Sequence, residues 1–217
     1  MPNTSTPVPV KANDDPAPVP NANLWREELG PRHEAKVRDN LRAAVHAVVH
    51  GGASVLDTTY RVVQKQLTEQ AWTERGAQDK KFAARMEAEG MLDITATSAT
   101  AQARDHFAQL QQELATVAEP SNGFASMVIW QKLDAMTASD RNLFLSRVDD
   151  ADIVSAVMHA PSIFAFGDND ARQRMLTNYN RRHRPMQYAL ADDLGTFIAV
   201  VDDIVEGMKR DLSRVLR

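Results

Sequence analysis

Apolar residues recur along most of this chain at steps of three and four, the period of one helical face. Val37, Leu41, Val45 and Val48 form the first such stripe. Gly30-Pro31 offers its start, because proline suits the first helical position, and Gly51-Gly52 offers its stop. A second stripe runs from near Ser54 through Leu56, Tyr60, Val63, Leu67 and Ala71. Gly76 weakens it, and the pattern resumes through Phe82 and Met86 to Gly90. Asp93 is placed to cap a third long segment. Its first part, Thr95 to Thr100, holds mediocre helix formers and is expected to fray. Ala103, Phe107, Leu110, Leu114 and Val117 then step firmly by four and three.

Pro120, Asn122 and Gly123 interrupt the pattern, and the main boundary is expected there. Shorter pieces follow. Met127 to Met136 reads as helix, as does Thr137 to Val148 with Thr137 or Ser139 as its cap. Asp149-Asp150 opens a short helix to His159, stopped by Pro161. A polar turn from Gly167 to Asp170 precedes a helix to about Tyr179, with Asp168 and Asp170 as capping residues. Pro185 is the natural start of the last helix. Leu190, Leu194, Phe197, Val201, Ile204 and Met208 form its seam. A helix from there to about Leu216 would be roughly 48 Å long. Such a seam can join a coiled coil with another chain. The simpler reading is packing on helices of its own domain.

The first 23 residues stand apart. They hold six of the ten prolines and no aromatic residue. Pro-Val-Pro and Pro-Ala-Pro-Val-Pro favour an extended, exposed backbone. The expected organisation is therefore a Pro-rich arm over 1–23, a long-helix bundle over 24–119 and a helical subdomain over 124–217. Strand-like alternation is absent, so the fold class is all-α. No repeat is apparent.

Composition narrows the function classes. The chain has 217 residues, 25 basic and 29 acidic side chains, and a formal net charge of −4. That balance argues against a globally basic nucleic-acid binder but leaves room for a local patch. Without cysteine there is no disulfide, thiolate nucleophile or cysteine-built zinc site. The longest nearly apolar stretch, Phe124 to Trp130, is far short of the ~20 residues of a membrane span. With no leader pattern at the N-terminus, the sequence-level expectation is a soluble protein, cytoplasmic where it is made.

Candidate chemistry is sparse. His46 and His50 share a helical face, but Ala47 stands where a zinc protease motif needs glutamate. In the acidic pairs Asp192-Asp193 and Asp202-Asp203, Asp192 and Asp203 project the same way but lie about 16 Å apart along one helix, too far to share an ion. Asp168-Asn169-Asp170 starts like a calcium loop, yet Gln173 and Tyr179 occupy the positions that need glycine and glutamate. No nucleophile elbow, phosphate loop or dinucleotide fingerprint occurs. The expectation is no catalytic residue, no metal and no cofactor.

The clearest electrostatic feature is a sign reversal. Asp149, Asp150, Asp152, Asp168 and Asp170 fall in a stretch without Lys or Arg. Arg172, Arg174, Arg181, Arg182 and Arg184 follow in a stretch without acids, with Tyr179 and Tyr188 beside them. Arginine next to aromatics can grip phosphates and stack on bases. It can equally meet the acidic block of the same chain or of a neighbour. The leading expectation is a non-enzymatic structural or assembly protein, a homo- or hetero-oligomer using its arm and charged faces to contact other subunits. Class-level analogy makes a bacteriophage virion component (head, connector or ejection protein) its most specific form. The second reading is a regulatory nucleic-acid-binding module using the 172–184 arginines. The third is a small enzyme whose site assembles only in three dimensions.

Overall fold

The computed structural model describes residues 21–164 and 166–217. The arm's residues 1–20 lie outside that range. The chain is all-α, with no strand among the described residues. A short N-terminal segment comes first: α1 (Ala22–Leu24), a π-helical turn (Trp25–Leu29) and α2 (Gly30–Glu34). Two long helices follow, α3 (Asp39–Glu69) and α4 (Glu74–Ala115). Four shorter ones succeed them: α5 (Gly123–Asp134), α6 (Ala138–Leu145), α7 (Ala151–Met158) and α8 (Asn169–His183). The long α9 (Pro185–Val215) ends the chain.

The short helices start where their caps dictate. Asn122, Thr137, Asp150 and Asp168 each accept hydrogen bonds from backbone N–H groups of the first turn. This satisfies donors that the helix itself leaves free. Gly167 precedes the α8 cap with φ of 76°, a left-handed conformation that favours glycine.

The long helices depart from the sequence reading. Gly51-Gly52 does not stop α3, and no helix begins at Ser54. Gly52 is buried against Met208 and Leu92, so its missing Cβ admits α9. Packing of an apolar face outweighs the ~1 kcal/mol that glycine costs a helix. The real break is at residues 70–73, where the Trp72 indole donates to the Gln66 carbonyl at 3.0 Å. Gly76, Gly90 and Asp93 all lie inside α4. Asp93 caps nothing and instead takes an ion pair from Lys209 at 2.7 Å. Thr95 to Thr100 is continuous helix. Thr95 and Thr100 return their hydroxyls to the Met91 and Ala96 carbonyls at 2.9 and 2.8 Å.

Three long helices make the main core. Val45, Val49, Ala53 and Leu56 of α3 meet Ala88 and Leu92 of α4 and Phe197, Val201, Ile204 and Met208 of α9. The last helix therefore joins the N-terminal bundle. Five of the six seam residues are buried within the chain, from Leu194 to Met208. Leu190 departs from the expected seam: it is 39% exposed. A second core unites α5–α8 around Leu133, Leu145, Val154, Phe166 and Met175. Leu110, Leu114, Ala191 and Leu194 connect the two.

The N-terminal segment lies along the bundle. Trp25 is 4% exposed. Its indole N–H donates to Asp211 at 2.9 Å, and its ring rests on Gly207. The expected arm thus ends sooner than residue 23, because Ala22 is already buried in helix. His33 is 12% exposed beside Asp203. Burial, and then Lys36, hold its pKa below the ordinary imidazole value, against the opposing pull of Asp203.

Candidate functional site

Of the arginine block, Arg181, Arg182 and Arg184 sit where α8 turns into α9, while Arg172 and Arg174 lie at the start of α8. Arg182 pairs with Asp149 at 2.7 Å, and the His183 ring meets the Asp149 carbonyl at 2.9 Å. Arg184 donates to the Glu113 carbonyl at 2.6 Å. Arg172 donates to the Phe166 carbonyl at 2.8 Å, within the loop that leads into α8. Nearby, the buried Asn180 amide donates to the Leu114 carbonyl at 2.9 Å. These bonds reach carbonyls at the end of α4 and in loops; that of Glu113 also accepts the Thr116 backbone N–H.

The acidic block is divided among several tasks. Asp150 caps α7, accepting from the Asp152 and Ile153 amides. Asp168 caps α8 by accepting from Ala171 at 2.7 Å, and its other oxygen takes the Asn142 amide. Asp152 and Asp170 lie in first turns, where the helix dipole favours negative charge. Asp170 does not cap. The sequence blocks therefore meet inside one chain at one ion pair, Arg182–Asp149, rather than as two opposed surfaces. Arg174 is exposed beside a shallow depression shared with Asp168 and Asp170.

Two arginines keep an aromatic partner. Arg181 lies 5.3 Å from the Tyr188 ring centre, and Arg184 lies 5.7 Å from that of Tyr179. Arg181 has no carboxylate within ion-pair distance among the described residues. Two open clefts flank this junction. One, of about 570 Å³, is lined by Gln109, Gln112, Arg184 and Gln187. The other, of about 450 Å³, has Phe107, Gln111, Gln173 and Tyr188 around a floor of Ala191 and Gly195. Both mix polar and apolar groups; Glu113 and Thr116 also line the first, and Thr177, Asp192 and Thr196 the second.

His46 and His50 come together, their ring centres 4.0 Å apart. His46 Nδ1 lies 2.9 Å from a Glu34 carboxylate oxygen, which ties α2 to α3. Among the described residues no group of three or more His, Asp or Glu side chains is disposed to hold a metal ion. No helix among them is long and apolar enough to cross a membrane.

A different surface escapes the sequence reading. α3 and α4 leave a groove of about 310 Å³ on their outer side. Val62 and Met91, 47% and 45% exposed, line it, and Ile94 stands next to it at 67% exposure. Reading Gly51-Gly52 as a stop divides α3 in two, which hides the continuous face. A second apolar group lies on the C-terminal lobe, with Phe124 75% and Met127 51% exposed on α5. Comparisons with family models, curated proteins and solved structures return no match to this chain.

Proposed function

We propose that this chain is a non-enzymatic assembly subunit that contacts other protein subunits through faces of its helical bundle. The observation that carries the reading is the grouping of its exposed apolar side chains. Val62, Met91 and Ile94 gather on the α3/α4 face, and Phe124 with Met127 on α5, a separate element. Single exposed hydrophobics are ordinary, whereas groups of them mark contact surfaces. The arginines contribute less to this reading than their number suggests, because Arg172, Arg182 and Arg184 hold the chain's own carbonyls and carboxylate. Native mass spectrometry of the full chain is the test. Defined oligomers support the proposal, and a monomer under all non-denaturing conditions counts against it.

One observation favours a second reading, nucleic-acid binding. Arg181 stacks on Tyr188 without a carboxylate partner, leaving a cation and a ring side by side. Phosphate and base recognition use that pair. Anisotropy titration with single-stranded and duplex DNA and RNA separates the readings. Salt-sensitive binding lost in an Arg181→Ala, Arg182→Ala, Arg184→Ala variant would favour nucleic acid.

A further inference from the structure

The other described elements leave the outer side of α3 and α4 open, and unlike the open α4/α9 side it is not laced by ion pairs such as Arg104–Asp202 and Lys209–Asp93. α9 packs into the inner side of both helices, while the N-terminal segment lies against α3 and α9. On the side of α3 that borders this groove the outward residues are Ala47, Gly51, Ser54, Thr58 and Val62, with Lys65, paired to Glu69, beyond them at the C-terminal end of the helix. The matching stripe on α4 runs from Lys80 through Ala84, Glu87, Met91, Ile94 and Ser98 to Asp105, spaced three, four or seven apart. Its charges lie at its two ends, apart from Glu87.

That α4 stripe has a symmetry. About the midpoint between Met91 and Ile94, Ala84 mirrors Ala101 and Glu87 mirrors Ser98. Lys80 mirrors Asp105, each roughly 19 Å from the midpoint at 1.5 Å per residue. Neither Lys80 nor Asp105 has an ion-pair partner among the described residues. Two copies of the face laid together antiparallel would therefore bring Met91 of each onto Ile94 of the other. They would also place Lys80 against Asp105 at both ends, and Glu87 would meet the Ser98 hydroxyl rather than another acid. A two-fold axis makes every such contact twice.

We infer that a second copy of this chain covers the α3/α4 face, antiparallel about a two-fold axis at Met91 and Ile94, to complete a bundle of four long helices from two hairpins. The inference rests on the assembly reading and names its partner. The size is adequate: a face roughly 38 Å long and about 18 Å wide on each copy totals about 1,400 Å², within the range of stable interfaces. Small α3 side chains permit close approach of the helices, and the larger Met91, Ile94 and Val62 supply the apolar contact.

Charge reversal tests it on the full chain by sedimentation equilibrium. Lys80→Asp alone and Asp105→Lys alone each set like charges together twice, and each is expected to weaken the dimer about tenfold, since exposed pairs contribute modestly. Mixing the two single variants restores both pairs in a heterodimer, so association should return to the wild-type level. Met91→Asp, at an exposed position, should leave the monomer folded by circular dichroism and abolish the dimer. A dimer indifferent to all these changes overturns this face while leaving the assembly reading intact. A full chain that stays monomeric overturns the inference too. If no other oligomer forms either, the assembly reading falls as well.

Discussion

Replacing Val201 by alanine probes the packing of α9. Val201 is fully buried in the core that α9 shares with α3 and α4. The change removes two methyl carbons, about 1.6 kcal/mol of transfer energy at about 0.8 per carbon. A residual cavity between three helices raises the loss to roughly 2–3 kcal/mol. For a chain of this size the melting temperature falls by about 2–4 °C per kcal/mol, so the expected drop is roughly 4–12 °C. Leu190, in the same stripe but 39% exposed, provides the control. Leu190→Ala removes three partly buried carbons at an open site, so it should cost about 1 kcal/mol, clearly less than Val201→Ala. Thermal melts followed by circular dichroism at 222 nm measure both. Repeating them with Met91→Asp added keeps the protein monomeric, and the Val201→Ala loss should persist there. Wild-type melting of Val201→Ala would show that the seam is not packed. A loss that vanishes with Met91→Asp would place the seam between chains and refute the intramolecular account.

Other expectations concern the ends of the bundle. Gly207→Ala would put a Cβ 2.6 Å from the Trp25 ring, so the ring must move and residues 22–34 should lose protection in hydrogen exchange while α3, α4 and α9 keep theirs. His33 has its pKa lowered in the folded state. Folding therefore favours its neutral form, and its contribution is fully present above the ordinary imidazole pKa and is lost as pH falls through the folded value. Urea titrations between pH 7.5 and 5 should show this loss, and His33→Gln should flatten it. Asn180→Ala removes the buried donor to the Leu114 carbonyl; the orphaned acceptor should cost about 1–3 kcal/mol in the same assay.

Local chemistry makes part of this fold legible in the sequence. Thr137, Asp150, Asp168 and Pro185 begin helices where side-chain oxygens or a fixed φ require it. The last seam is readable because its period of three and four is unbroken. Propensity misreads the long helices at their glycines, because it counts a missing Cβ as a cost, whereas Gly52 lies buried against Met208 and Leu92. That contact joins residues far apart in sequence, so no local window contains it. Asp93 reads as a cap because its pairing with Lys209 is likewise non-local. The arginine and acidic blocks stand out by charge alone. The bond to the Glu113 carbonyl depends on how α4 ends beside α8, and that to Asp149 on how the loop before α7 meets α8. The middle of the α3/α4 face carries little charge besides Glu87, so it gives no signal until both helices are known to be continuous.

The central claim, self-association through that face in antiparallel register, has a direct geometric test. The chain has no cysteine, so single Ala101→Cys and Gln109→Cys variants each take one spin label. Both positions are exposed on α4. Double electron–electron resonance of each dimer reads the separation of the label from its copy. Antiparallel pairing about the midpoint of Met91 and Ile94 separates the copies along the axis by about 26 Å at Ala101 and about 50 Å at Gln109. Similar short distances at both positions would mean a parallel pairing, and an absence of dipolar coupling at both would mean no contact; either would contradict the account.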